Sequence, residues 1–359
     1  MFFCRSSDLY LKDVGLIAFV MPISILTDAF HHVNFKKFRK LKMKLLKMFD
    51  LEDLSPLFNV PSCVLIAVKG GETKYPILAR KYVGNLSEKN VKLREAIKPP
   101  AISVKYSPYY NNVREGATIV PRSFWFVDFD MHPTLGIDLN RPLVKSAEDA
   151  LREAKVPWRN IELKGNIEAD FIYATLLGED IVPFGYRKLR PVVLPLELSS
   201  TSCRLLDVDA LRNRGFILMA EWLEKAQRLW SENATKRSLK DYPRIISWLD
   251  CMGRLSSQNP KSKYFVLYNT SGTNLVSYVV NKWSLSAFQI LKAKISPKGF
   301  IAESTTYFYE TDDEVEAHYL CAFLNSNVIN DAVKPLQSGG LFGERHFSRK
   351  AIYAPHTQI

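Results

Sequence analysis

The 359-residue chain has little of what builds metal and redox centres. Its five cysteines stand at 4, 63, 203, 251 and 321, an odd number without a C-x-x-C pair. That pattern argues against a disulfide framework or a zinc site and points to a reducing cytoplasm. The six histidines include the adjacent His31 and His32 but no H-E-x-x-H, so no metal site is expected from them. No G-x-G occurs among the 16 glycines, and there is neither a P-loop nor a G-x-S-x-G. The usual dinucleotide, triphosphate and serine-hydrolase signatures are therefore absent. Long apolar runs are also missing. "GLIAFVMPISIL" (15–26) is broken by Pro22, whereas a membrane span needs about 20 apolar residues. Asp8 and Asp13 precede that run, and "TDAFHHVNFKK" follows it without a small-residue cleavage site. A signal peptide and a membrane partner are both unexpected.

What is present describes a folded, basic protein. At 47% hydrophobic and 12% aromatic residues the chain can bury a large core. The length suggests two domains. A net charge of +12 favours a polyanionic partner, because each neutralised phosphate releases condensed counterions.

The first hundred residues alternate helix-like and strand-like segments, which argues for a sheet with crossover helices. "SSDLYLKDV" reads as the last turns of a helix feeding a strand. "LIAFVMP" (16–22) is apolar on both faces, as a parallel strand covered by helices would be. "KLLKMFDLED" and "SCVLIAVKG" read as further strands, and "YPILARKYVG" as an antiparallel edge. The basic stretch "KKFRKLKMKLLK" (36–47) suits a solvated helix-to-strand connection, a phosphate-facing surface or an amphipathic membrane helix. Alternation stops at "IKPPAISVKYSPYYNN", which places a boundary near Pro99-Pro100. Beyond it two helices are clear. "FILMAEWLEKAQRLW" spaces Leu218, Trp222, Ala226 and Leu229 helically, and "TDDEVEAHYLCAFLNSNVINDAVK" opens with Thr311 and Glu314 at capping-box spacing. The pair Asp312-Asp313 is explained by that helix start without catalysis.

Several blocks together carry a family resemblance. "GLIAFVMPISIL" (15–26) resembles the strand-and-turn block after the catalytic motif of N6-adenine DNA methyltransferases, particularly the type IIG restriction–modification kind. "MFDLEDLSPLFNVPSCVLIAVKG" (48–70) is similar to a later sheet block of the same domain. "GATIVPRSFWFVDF" (116–129), "SKYFVLYNTSGTNLVSYVV" (262–280) and "AHYLCAFLNSNVINDAVKPLQSGGLFGERHFSRK" (317–350) resemble successive blocks of a target-recognition region.

The resemblance implies an α/β partial class I methyltransferase sheet over 1–98, followed by an α+β target-recognition domain over 99–359. In that family a glycine loop binds S-adenosylmethionine, and an Asn/Asp-Pro-Pro-Tyr-type motif aligns the flipped adenine amine. Both lie before the block seen at 15–26, and neither occurs here. The expectation is thus a C-terminal portion, with the cofactor held mainly by residues not in this chain and no catalytic residue of its own. "KPPA" is no substitute: Lys98 donates where an acceptor is needed, and Ala101 cannot stack. Double-stranded DNA is the expected partner, with a complementary N-terminal methyltransferase chain as a second. The alternative is a stand-alone DNA-specificity module serving a separate catalytic subunit.

Candidate DNA contacts concentrate in "KPLQSGGLFGERHFSRK" (334–350). Gly339, Gly340 and Gly343 allow close backbone approach, and Gln337 and Ser338 offer hydrogen bonds. Lys334, Arg345, Arg349 and Lys350 supply charge for phosphates or guanine edges. A glycine turn leading to a final strand is the structural alternative. In "VPRSFWF", Arg122 is a further DNA candidate, while Phe124 and Trp125 suit a core. "YNTSGTN" (268–274) fits a backbone-contacting loop or an ordinary turn. Phe58 in "LFNVP" is a possible target-base contact, or else a core residue.

Overall fold

A computed structural model describes residues 2–22, 42–55, 57–58, 62–73, 77–98, 109, 111–134, 136–198, 203–259, 261–334 and 347. The chain divides into two units: Met1–Tyr110 with Ser271–Asn274 and Asn327–Ile359, and Asn111–Thr270 with Leu275–Ser326. The division falls beyond Pro99-Pro100 and groups the C-terminal 33 residues, 327–359, with the first unit.

The first unit opens with the helix Phe2–Tyr10. Lys69 Nζ donates to the Leu11 carbonyl at 2.8 Å, meeting an oxygen just past the helix end with a favourable charge. The chain then turns sharply. Gly15 N–H donates to Lys12 O at 2.9 Å, and a Cβ at Gly15 would lie 2.7 Å from that oxygen, so glycine is required there. Five strands follow: β1 (Leu16–Pro22), β2 (Met43–Ser55), β3 (Ser62–Lys69), β4 (Ile77–Asn85) and β5 (Asn90–Lys98). They form one sheet in the order β1-β3-β2-β4-β5.

β3 runs antiparallel between β1 and β2, from Leu16↔Val68 to Pro22↔Ser62 on one side and from Met43↔Lys69 to Asp50↔Cys63 on the other. β1 and β2 are therefore parallel to each other. The residues of "LIAFVMP" and "SCVLIAVKG" are neighbours in one sheet, as expected. The expected parallel pairing and two-sided cover of "LIAFVMP" are corrected. Ile17 is buried among Phe3, Leu65, Ala67 and Met48, while Leu16 is 62% and Val20 51% exposed on the opposite face. An apolar run reports that a strand can be covered on both sides, not that it is. "YPILARKYVG" is corrected too. β4 is interior, parallel to β2 and antiparallel to β5. The β4–β5 hairpin turns at Asn85–Asn90, where Asn85 Oδ1 accepts Ser87 N–H and Lys89 adopts φ 55°.

The second unit is built from short strands. The first ten are β6 (Arg114–Glu115), β7 (Val127–Asp130), β8 (Leu143–Ser146), β9 (Lys164–Asn166), β10 (Ile172–Thr175), β11 (Ile181–Val182), β12 (Gly185–Tyr186), β13 (Arg190–Val193), β14 (Leu196–Leu198) and β15 (Cys203–Leu205). After a helical stretch come β16 (Tyr264–Asn269), β17 (Ser277–Asn281), β18 (Phe288–Ile290), β19 (Ala293–Ile295) and β20 (Thr306–Thr311). The largest sheet has the order β17-β16-β20-β6, and β7-β8-β9 form a three-stranded one. One core gathers Phe265, Leu267, Phe300 and Phe308. A second gathers Phe124, Trp125, Trp222 and Trp230. Trp222 is buried with its indole N–H donating to Phe124 O at 3.0 Å, so the large ring leaves no polar debt there. Phe124 and Trp125 are core residues, as their sequence context implied.

The helix Ile217–Asn233 covers the predicted segment, with its buried face on Met219, Trp222, Leu223, Ala226 and Trp230. Leu218 and Leu229 lie at the margins of that face. The second predicted helix starts where expected, but its cap is corrected. Asp313, not Thr311, accepts N–H bonds from Val315 and Glu316. Thr311 instead donates to the Glu316 carboxylate at 2.6 Å. That helix ends at Asn325, and a separate one covers Asn327–Val333.

Candidate nucleic-acid interface

The positive charge is unevenly placed. The first unit carries 22 Lys and Arg against 11 Asp and Glu, and the second 27 against 26. Almost the whole net charge of +12 thus belongs to the first unit. Its sheet explains how part of that charge is displayed. Cross-strand register puts Leu16, Ala18 and Val20 of β1, Val68, Ile66 and Val64 of β3, and Lys44, Lys47 and Phe49 of β2 on one face. Phe49 is opposite Arg80 of β4, and its ring lies 6.0 Å from that of Tyr82. The helix Phe2–Tyr10 covers the other face, where Phe3 meets Phe19 edge-to-face at 5.6 Å.

The open face therefore grades from aliphatic at β1 to aromatic and cationic at β2 and β4. Lys44, Lys47 and Arg80 are exposed and make no ion pair with another described residue. Lys81, on the opposite face, is engaged by Asp53 at 2.7 Å. Burial works against its charge, but the carboxylates of Asp53, Asp50 and Glu52 outweigh burial and raise its pKa. A surface of free cations beside aromatic rings can hold phosphates electrostatically and offer rings for stacking. The sequence reading of 36–47 offers a phosphate-facing surface as one of its alternatives; residues 36–41 lie outside the described residues, Lys44 and Lys47 stand on β2, and Arg80 was not foreseen. The bulge between Leu45 and Lys47, which brings both lysines to one side, leaves no local signal.

The predicted site residues fare differently. Arg122, at the start of the short helix Arg122–Trp125, lies 3.4 Å from the buried Glu303 carboxylate and 3.8 Å from Glu153, with its guanidinium over the Phe126 ring. Its charge is already matched inside the second unit. Lys334 lies 3.6 Å from Asp331, one helical turn back. Phe58 is 44% exposed, which removes the core alternative for it. Gln337, Ser338, Gly339, Gly340, Gly343, Arg345, Arg349 and Lys350 lie outside the described residues. In the β16–β17 connection, Asn269 and Thr270 are buried. Thr270 N–H donates to Thr305 O at 2.9 Å, and Asn269 Oδ1 accepts Val276 N–H at 3.0 Å. Thr273 and Asn274 are exposed at its tip. Among the described residues no group of His, Cys, Asp and Glu could hold a metal ion, and no helix is long and apolar enough to cross a membrane.

No protein-family model matches the chain, and no curated protein does. Among solved structures it is similar to the type IIL restriction-modification enzyme MmeI, determined in complex with DNA. The identity is 12% and the TM-score 0.48, over 95% of this chain and 38% of that one. It is also similar to the type IIG restriction endonuclease BpuSI, at 12% identity and a TM-score of 0.27, over 96% of this chain and 40% of that one. The chain spans about 40% of the length of each.

Proposed function

We propose that this chain is the C-terminal portion of a site-specific N6-adenine DNA methyltransferase of the type IIG restriction–modification kind. It supplies target recognition and the last strands of the catalytic sheet. The observation that carries the reading is the sheet of the first unit. Its β1 edge pairs with no further strand among the described residues, and one face is left open. A free edge and an uncovered apolar face are features that a completing chain removes. The ordered blocks of the sequence support the same reading, as does the concentration of unpaired cations on that sheet.

The cofactor implied is S-adenosylmethionine, which would supply the methyl group when bound. The described residues of the first unit do not fit it. The buried carboxylate there, Asp50, accepts Glu52 N–H of its own strand at 3.0 Å, and the sequence contains no G-x-G. No catalytic step is assigned to this chain. Its residues bind and orient DNA: Lys44, Lys47 and Arg80 through phosphates, and the 334–350 block through phosphates or base edges.

The test is titration of labelled duplex DNA at several ionic strengths, followed by anisotropy. Affinity is expected to fall linearly on a log–log plot, with a slope that becomes shallower by about 2 when two phosphate-contacting lysines are removed. Lys44→Ala with Lys47→Ala tests the sheet, and Arg345→Ala with Lys350→Ala tests the C-terminal block. No binding at low salt would sink the reading. A labelled methyl-transfer assay should be silent with this chain alone and active with a complementary chain carrying the glycine loop and the acceptor motif. Binding without such complementation would favour a stand-alone specificity module.

A further inference from the structure

The second unit contains a cavity of about 260 Å³ that the reading above does not use. Gln258, Lys282, Trp283, Lys298, Gly299 and Phe300 line it. Two of these side chains are placed where folding alone gives no reason for them. Lys282 follows directly on β17, with its ammonium drawn in against protein. It donates to the Asn259 carbonyl and sits 4.2 Å from the centroid of the Phe265 ring. No carboxylate lies within ion-pair distance of it among the described residues. An ammonium has three N–H donors, and one is used by Asn259. Trp283, the next residue, leaves its indole 71% exposed at the same cavity. The other large aromatic rings of this unit mostly lie in the cores, as Trp125, Trp222 and Trp230 do.

The surroundings carry charges of both signs, with Asp312 acting on Lys282. Lys263 Nζ stands 5.8 Å from the centroid of the Trp283 ring, and Lys298 reaches Asp170 at 3.0 Å from the cavity wall. Gln258 is rigid: its amide exchanges two hydrogen bonds with the backbone of Ala302, both at 2.9 Å. Gly299 leaves the wall without a side chain, and a Cβ there would come 2.7 Å from Leu198 Cδ1. The result is a preformed recess with spare donors at one point and an open aromatic face at another. Its volume is just below the range of about 300–1,000 Å³ typical of small-molecule sites.

We propose that this cavity binds one nucleotide unit, its phosphate on the Lys282 ammonium and its base stacked on Trp283. The phosphate supplies the counter-charge that Lys282 lacks, and the exposed ring offers a base a face to stack on. The same chemistry belongs to a free mononucleotide and to an unpaired nucleotide of a DNA strand. The proposal does not depend on the methyltransferase reading, since the cavity lies wholly within the second unit.

The test uses the full chain, with calorimetry and Trp283 emission against four probes: dAMP, deoxyadenosine, inorganic phosphate and a short single-stranded oligonucleotide. Saturable binding of dAMP is expected, with weaker binding of deoxyadenosine and of phosphate. Lys282→Met and Trp283→Ala should each weaken dAMP binding at least tenfold. Circular dichroism must first show both variants folded. Trp283 is exposed, so its truncation leaves the fold intact if Lys282→Met proves difficult. Tighter binding of the oligonucleotide than of dAMP assigns the site to DNA, and the reverse order assigns it to a free nucleotide. No saturable binding of either, or unchanged affinity in both variants, overturns the proposal. Duplex titrations run alongside separate this result from the DNA reading, because Lys282→Met should leave the Lys44 and Lys47 contribution untouched.

Discussion

Replacing Arg190 with methionine should remove a large part of the second unit's stability. Arg190 lies on β13 with only 10% of its side chain exposed. Its Nε and Nη2 hold both oxygens of Asp180, at 2.6 and 3.0 Å, while Nη1 reaches Asp149 at 2.6 Å and Nη2 also reaches Glu179 at 2.9 Å. Asp180 is 5% exposed, and its carboxylate's other described bond is from Leu177 N–H at 2.9 Å. Arg190→Met therefore strands a buried carboxylate. Breaking such a pair from one side costs about 3–5 kcal/mol, against a total stability of about 5–15 kcal/mol for a typical domain. Asp149 and Glu179 soften the loss little, since Asp149 keeps Lys188 at 2.9 Å and Glu179 faces solvent. Asp180→Asn removes the charge but leaves Arg190 its other partners, so the cost should be about 1.5–3 kcal/mol, that of charge-assisted hydrogen bonds. The double variant should be less destabilised than the sum of the two, by at least about 1 kcal/mol. Urea unfolding followed by tryptophan emission is the assay, because all six tryptophans belong to the second unit. With m near about 2 kcal/mol/M, the midpoint of Arg190→Met should fall by roughly 1.5–2.5 M. A loss below about 1 kcal/mol, the value of an exposed pair, would refute the claim that this cluster acts as a buried one.

Two further outcomes concern pH. Burial pulls the Lys282 pKa down to about 8, against the weaker opposing influence of Asp312 and Cys203 and with help from Arg114. In the unfolded chain the same amine keeps its ordinary value, so stability should rise between about pH 8 and 10.5, where only the unfolded state holds the proton. Lys282→Met should flatten that rise and stabilise the fold near neutrality by about 1–2 kcal/mol, the solvent-discounted equivalent of the depression. The Asp149 pKa is also lowered, but for a carboxylate that shift stabilises the fold. Burial would raise its pKa, but Lys188 and Arg190 hold it below the ordinary 3.8. Its contribution should persist above about pH 4 and disappear as pH falls through its lowered pKa. Acid titration of Asp149→Asn should lack that component.

The sequence carried the strands of the first unit further than those of the second because β1 and β3 are short apolar runs bounded by glycine or proline, whereas β2 mixes Leu45, Met48 and Phe49 with five charged residues. Pairing was less legible. Nothing in "LIAFVMP" states that β3 comes to lie between it and β2, or that its Leu16 face stays open. Helix positions in the second unit were readable from spacing, whereas the cap at Asp313 was displaced by two residues because Thr, Asp and Glu all crowd the start. Site residues were hardest. Arg122 reads as a free cation until Glu303, 181 positions away, is folded against it. The cavity draws on 198, 258, 282 and 298, segments with no common local pattern. Among the cavity residues, only Lys282 and Trp283 place a cation and a ring side by side in the sequence.

The insertion of β3 between two earlier strands fixes an order of events in time. β2 and β3 are close in sequence and can zip as a hairpin, but β1 has no partner among the described strands until β3 exists. On a ribosome adding about 5–20 residues per second, the roughly 50 residues separating Leu16 from Val68 take several seconds to appear. Loop closure over a comparable distance must precede the first β1–β3 pairing, which slows the step relative to the hairpin. During that interval Leu16, Ile17, Phe19 and Val20 wait as a nascent apolar strand. Chaperone capture during synthesis should therefore centre on β1 and cease once β3 has emerged.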